Sequence, residues 1–208
     1  MFQFTWTERE KNLQSQILFT KPEKDHLEQE YLHNMKTYKC PISNTTLDLE
    51  NKRLFFWGSI FSQWYKAKIV DGDAWEDFSS AEQGMMYYKA KTFNDTVIMQ
   101  KILSTNDARK QKELGRLVEN YDDAVWSSVR YDVVKRLNYL KFSQNPDLKI
   151  ALLMLKDWEF VEASPYDKIW GIGLGENNPD IFDPEKWQGQ NLLGKAIKEA
   201  QKQIINEL

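Results

Sequence analysis

The sequence predicts an α+β fold: a mostly helical single domain with a small antiparallel β element. Three observations predict it. Apolar residues recur at helical spacing from about residue 80 to the C-terminus. Aromatic, β-prone residues crowd into 53–78, and the Asp71-Gly72 turn signal sits inside that stretch. A chain of 208 residues fits one sizeable core with an appendage, so we divide it into an N-terminal helical extension, 1–52, and a main domain, 53–208.

Taken in order, Thr7 and Glu10 form a capping-box pattern before a polar helix over 8–18, which Lys21-Pro22 breaks. A second helix over 23–36 carries Leu27, Tyr31, Leu32 and Met35 on one face, and CPISNTTLDLENK reads as a connector. RLFFWGSIF and the alternating WYKAKIV read as strands, with Asp-Gly supplying the positive φ of a tight hairpin before DAWEDF. Ser79 and Glu82 have capping-box spacing, which starts a helix near Ser80. Asp95 caps TVIMQKIL, and STNDARKQKELGR holds a short helix ending at Gly115. Asp122 caps a long helix with Trp126, Val129, Val133, Leu137 and Leu140 as its apolar stripe. Asn145-Pro146 opens a deeply apolar helix, DLKIALLMLK. EFVEA reads as a strand, Ser164-Pro165 as a turn and IWGIGLG as a segment where backbone approaches closely. Asn191 caps the last helix, which buries Leu192, Leu193, Ala196, Ile197, Ala200 and Ile204.

Composition excludes several classes. A net charge of −3 provides no global field for nucleic acid. The single cysteine, Cys40, rules out an internal disulfide and a Cys-rich zinc site, and the two histidines, His26 and His33, are poorly spaced for metal. No metal or organic cofactor is expected. No apolar run is long enough for a bilayer and MFQFTWTEREKN lacks signal-peptide character, so the expected location is cytoplasmic, without membrane association. IWGIGLG is neither a P-loop nor a Rossmann turn, and Ser79, Ser80 and Ser164 have no histidine partner for a hydrolase triad.

The chemistry concentrates in DFSSAEQGMMYYKAKTF. Glu82, Met85, Met86, Lys89 and Phe93 share one helix face, so the charges lie either inside a core face or at its wet edge. Glu82, Glu162 and Asp167 each sit beside apolar residues, where a carboxyl gains basicity and can serve as a general acid; alternatively each caps a turn or pairs with a cation. Lys89 in an apolar setting can attack an opened sugar as a Schiff-base nucleophile, or it can pair with a carboxylate or reach water. Arg130 and Lys168 are phosphate candidates, with exposure as the ordinary alternative.

The stretches FFWG, FSQWYKAKIVDGDAW, SSAEQGMMYYKAKTF, LGRLVENYDDAVWSSVR, LKFSQNPDLKIALL, VEASPYDKIWGIGLG and WQGQNLLGKA together resemble the YbiA-like, or NADAR, family. The resemblance runs from about Phe55 to Ala196 and leaves 1–52 outside. It implies a YbiA-like fold and an N-glycosidase that cleaves between a (phospho)ribose and a nitrogen heterocycle. One branch acts on riboflavin-pathway ribosylamino-pyrimidine phosphates. Another removes ADP-ribose from guanine in nucleic acid, and a non-catalytic ADP-ribose-binding module is the remaining alternative. It implies Lys89, Glu82, Asp167 and Glu162 as catalytic residues, and Trp126, Arg130, Trp170, Gly171 and Asn191 as substrate-binding residues. Gly84 stands where the family commonly has an aromatic residue, so the resemblance implies a wider pocket there. The expected partner is a small ribosylated nucleotide-like substrate.

Overall fold

A strand with both faces covered organises the β structure. The structure, a computed structural model, describes residues 45–208. The helices expected over 8–18 and 23–36, with His26, His33 and Cys40, lie outside the described residues. Strand β2 (Arg53–Phe56) pairs antiparallel with β1 (Thr46–Asp48) and parallel with β5 (Glu159–Glu162). Leu54 and Phe56 enter the main core while Phe55 enters a second, smaller one with Val161, Ala163, Ile172, Leu174 and Ile181. That two-sided burial is why RLFF shows no polar alternation.

The expected small antiparallel element is present, but it does not include every strand of the region. Residues 46–48, read as connector, form a strand, and 53–56 join a mixed sheet through a long-range parallel pairing. The antiparallel hairpin is β3 (Lys66–Asp71) with β4 (Glu76–Ser80). Its loop is Gly72–Trp75, and the left-handed residue is Trp75 at φ 57, not Gly72. Asp71 instead anchors the hairpin: its buried carboxylate accepts from Tyr88 Oη at 2.7 Å and Arg136 Nη2 at 2.7 Å. Burial pushes that carboxyl up, but the Arg136 and Tyr88 hydrogen bonds outweigh it and hold it below its ordinary range.

The helices follow in order: α1 (Ala81–Thr92), α2 (Thr96–Leu103), α3 (Ala108–Gly115), α4 (Asp123–Gln144), α5 (Pro146–Met154) and α6 (Leu192–Asn206). Asp95 and Asp122 cap α2 and α4 as expected, accepting from Ile98 N and Val125 N at 3.0 Å each. Helix α4 packs against α1, β3 and α6. Only Leu148 and Leu152 of α5 are buried, so it is a surface helix despite its apolar sequence. At its N-cap, Asn145 makes no cap bond and donates to Lys68 O and Lys141 O instead. No helix among the described residues is long and apolar enough to cross a membrane.

Candidate active site

The first turn of α1 determines which carboxylate is free. Ser80, not Ser79, is the N-cap: its Oγ accepts from Gln83 N at 3.1 Å. Gln83 Oε1 accepts from Ser79 N at 2.7 Å, and its amide donates to Ile102 O and Thr105 O. The capping pair is Ser80 with Gln83, one residue later than the Ser79–Glu82 pattern. Glu82 is thereby released from capping. It is 2% exposed, and its Oε1 has no hydrogen-bond partner among the described residues. Burial pushes its pKa up to about 7, against the pull of Lys112, the Trp64 indole and Arg116, while Asp167 adds to the rise.

Glu162 reaches the same place from the end of β5. Its N–H donates to Asn191 Oδ1 at 3.0 Å and its carbonyl accepts from Ile172 N at 2.9 Å. Its Oε2 is buried without a partner among the described residues. Burial raises its pKa to about 8, with Asp167 and Glu82 adding and Lys112 opposing. Asp167 is fixed by its Oδ1, which accepts from Ile169 N at 2.9 Å and Trp170 N at 2.7 Å. Three acids from two distant segments thus converge: Asp167 makes ionisation of both glutamates harder, and Glu82 does the same to Glu162.

Around these acids the expected binding residues divide into framework and lining. A Cβ on Gly171 would stand 2.8 Å from Glu162 O and 3.0 Å from Asp167 O, so glycine lets this loop close on the backbone of both acids of the second segment. Asn191 stands at the N-cap position of α6 as expected, but its side chain holds the strand that carries Glu162 and does not cap the helix. It sits at φ 51 with no cap bond, and its amide joins Glu162 N and, at 2.9 Å, Phe160 O. Its polar atoms are occupied in holding Glu162. Trp126 is 5% exposed within the main core, which leaves little ring face for stacking. Trp170 is half-buried against that core. Arg130 is half-buried, with Tyr121 and Asp123 as its electrostatic neighbours.

Lys89 lies two turns from Glu82, about 10 Å along the helix. Its Nζ stands 4.2 Å from the centre of the Tyr121 ring, and Tyr121 donates to Asp123 Oδ1 at 2.7 Å. Half-burial lowers its pKa; Asp123 opposes the shift and Arg116 adds to it. Its charged neighbours are therefore Asp123 and Arg116, and Glu82 is not its direct partner. Gly84 also departs from expectation. A Cβ there would meet Leu137 Cδ2 at 2.5 Å and Phe78 Cδ2 at 3.1 Å. The glycine lets α1 approach α4 and β4 and does not widen a pocket.

Sequence reasoning missed Trp64, Lys112, Arg116, Tyr121 and Asp123. The i, i+4 spacing of Lys112 and Arg116 was available as a signal, but a polar helix face commonly looks the same. It also missed Lys141, a fully buried lysine whose Nζ donates to Ser62 O at 2.8 Å and whose pKa burial lowers to about 7. Among the described residues, no cluster of three His, Cys, Asp or Glu side chains could hold a metal ion.

Comparison with known proteins defines the class: a hydrolase acting on N-glycosyl bonds. The NADAR domain family model matches residues 55–205, and the chain belongs to that family. It is 41% identical over 158 residues to an N-glycosidase of Acanthamoeba polyphaga mimivirus, covering 71% of this chain and 93% of that protein. A riboflavin biosynthesis protein of Vibrio vulnificus is 30% identical over 128 residues, covering 62% of this chain but 30% of its own length. The NMR structure of the E. coli protein YbiA superposes with TM-score 0.61 at 22% identity, covering 76% of this chain and 87% of that one, which shows the shared α+β fold.

Proposed function

We propose that this protein cleaves the N-glycosidic bond between a phosphoribose and a nitrogen heterocycle, with a ribosylamino-pyrimidine phosphate of riboflavin synthesis as the substrate type. The observation that carries this reading is the pair of buried carboxyl oxygens of Glu82 and Glu162, without partners among the described residues, beside Asp167. Buried carboxyls of raised pKa hold protons near neutrality and can donate them. Glu162, pushed up further, protonates the departing nitrogen, and Asp167 keeps the proton on it through its negative charge. As the C1–N bond breaks, the pair of electrons leaves with the heterocycle. Lys89, its basicity lowered by half-burial, gives its lone pair to C1; a proton passes from the attached amine to the ring oxygen as the ring C1–O bond opens, leaving a protonated imine and a free hydroxyl. Glu82 takes a proton from the water that hydrolyses the imine, and the sugar leaves with Lys89 restored. Tyr121 and Asp123 hold Lys89 for this step. Trp170 and the half-buried Arg130 border the substrate, while Gly171 and Asn191 act through the loop and strand that carry the acids. The reaction needs no metal or organic cofactor, and we place the protein in the cytoplasm.

One observation favours a second reading, removal of ADP-ribose from guanine in nucleic acid. Lys112, Arg116 and Arg130 supply more cationic groups near the site than one phosphate requires. Side-by-side hydrolysis of a ribosylamino-pyrimidine phosphate and of ADP-ribosylated guanosine separates the two. Lys89→Ala is expected to abolish turnover, by three orders of magnitude or more (~10³), with an unchanged melting temperature. Borohydride should trap a sugar adduct on the wild type alone. Full activity in that variant removes the imine step.

A further inference from the structure

Helix α3 and its C-cap bring two cations toward the acidic site, and ion pairing among the described residues does not account for them. Lys112 and Arg116 are one turn apart on the same edge of that helix. Neither has a carboxylate within ion-pair distance among the described residues. Lys112 Nζ stands 5.8 Å from the centre of the Trp64 ring, on the aromatic that also leans on Glu82. Both cations bear electrostatically on Glu82, Lys112 bears on Glu162, and Arg116 bears on Lys89 as well. Lys112 thus belongs to the acidic end of the site, and Arg116 is within electrostatic reach of both ends.

The helix that carries them is fixed in place. Gln111, fully buried, donates to Thr105 O and accepts from Ser80 Oγ, which ties α3 to the cap of α1. The Met86 side chain occupies the space where Gly115 lacks a Cβ, so α3 lies directly on α1. A cation near a helix C-terminus can be explained by the helix dipole alone. That explanation does not cover the half-buried Lys112 over Trp64, beside the enclosed Glu82; Arg116, one turn on, is exposed and open to a ligand from solvent. Arg130 is less available, because Asp123 and Tyr121 face it.

We propose that Lys112 and Arg116 form the phosphate-recognition pair of this site and make the enzyme selective for riboses phosphorylated on C5. The inference rests on the N-glycosidase reading above, and it adds which residues select the substrate and by what group. Paired cations a turn apart suit a phosphate, which presents several acceptor oxygens at once. A ribose held there by its 5-phosphate turns C1 toward the interval between Glu82 and Lys89. The shared chemistry is a phosphate on ribose C5, as a monoester or as the first phosphate of ADP-ribose.

The test separates recognition from turnover. Binding of ribose 5-phosphate, ADP-ribose and unphosphorylated ribose is measured by calorimetry on the full chain, for the wild type, K112A/R116A and R130A. The wild type is expected to bind ribose 5-phosphate at least about tenfold more tightly than ribose, and K112A/R116A to lose that preference. R130A is expected to retain it. A stronger response to ADP-ribose than to ribose 5-phosphate in the wild type identifies the diphosphate source. Equal binding of ribose and ribose 5-phosphate by the wild type, or an unchanged preference in the double variant, overturns the proposal. Hydrolysis then provides an independent check. KM for a ribosylamino-pyrimidine phosphate should rise in the double variant, with little change in kcat/KM for its dephosphorylated counterpart. Equal losses on both would mean that the cations only tune the carboxyls. If phosphate binding behaves as expected but nothing is hydrolysed, the glycosidase reading fails and this one stands.

Discussion

The two ends of α1 face opposite chemistry although they share one helix face. At the N-terminal end, Glu82 is almost wholly enclosed, and desolvation raises its proton affinity. At the C-terminal end, Lys89 is half-open over the Tyr121 ring, and desolvation weakens its hold on a proton. The same physical cause moves an acid up and a base down, bringing both toward neutrality. The difference lies in the charges around each. At Glu82 cations of the α3 segment oppose the shift and Asp167 adds to it, whereas at Lys89 one carboxylate, Asp123, opposes it and Arg116 adds.

The strongest way to break that contrast is to remove the proton chemistry from the acidic end. Glu82→Gln and Glu162→Gln should each lower kcat by about 10²- to 10⁴-fold. Each should leave melting temperature at neutral pH unchanged or higher, because a buried carboxyl that titrates near neutrality is replaced by a neutral isostere. Loss of folding in either variant would argue that these carboxyls are structural. The pH dependence of stability sharpens the point. The folded-state pKa of Glu82, about 7, lies above its ordinary 4.5, so the folded state binds the proton more tightly than the unfolded state. Its contribution is full below about pH 4.5 and is lost as pH rises through about 7. Urea titrations across this window should show wild-type stability falling by a few kcal/mol relative to Glu82→Gln.

Lys141 provides the opposite sign away from the proposed chemistry. Burial lowers its folded pKa from 10.5 to about 7, so its contribution is full above about pH 10.5 and is lost as pH falls toward 7. Lys141→Met should be neutral or stabilising at pH 7 and should flatten that alkaline rise in melting temperature. A large loss at pH 7 would show that the bond to Ser62 O outweighs the cost of burying the amine.

Smaller effects test the middle and start of the helix. Gly84→Ala should destabilise by about 1–3 kcal/mol through overpacking against Leu137 and Phe78. Substrate preference should not change; a broadened or narrowed preference would return Gly84 to the pocket wall. Ser80→Ala should cost about 1 kcal/mol by thermal unfolding and Ser79→Ala less, since Ser80 accepts the cap bond. The reverse order would restore the earlier capping pattern.

Much of the helical framework was legible because its signals are local. Asp95 and Asp122 each cap the helix that follows, and the face shared by Glu82 and Lys89 follows from 3.6 residues per turn. Local signals also failed where two solutions were one residue apart, as at Ser79 and Ser80, or where an Asp-Gly pair suggested a tighter turn than the hairpin adopts. The candidate site was legible in its residue types and partly in its residues. Glu82, Glu162 and Asp167 do converge, but Asn191 and Gly171 support the acids from behind, and Trp126 belongs to the core. Lys112 and Arg116 were hidden because a cation on a polar helix ordinarily faces water.

By itself the sequence determined the helix spacing that aligns Glu82 with Lys89, the family motifs, and the residue types available for proton transfer and covalent attack. Tertiary structure decided that Glu82 loses its water and its cap, and that Glu162 arrives beside it on a parallel strand 80 residues later. It also decided that Lys89 faces Tyr121 and Asp123 instead of an acid on its own helix. Helix periodicity is a property of neighbouring residues along the chain. Desolvation and charge proximity, which set proton affinity, arise only when distant segments close around the same volume.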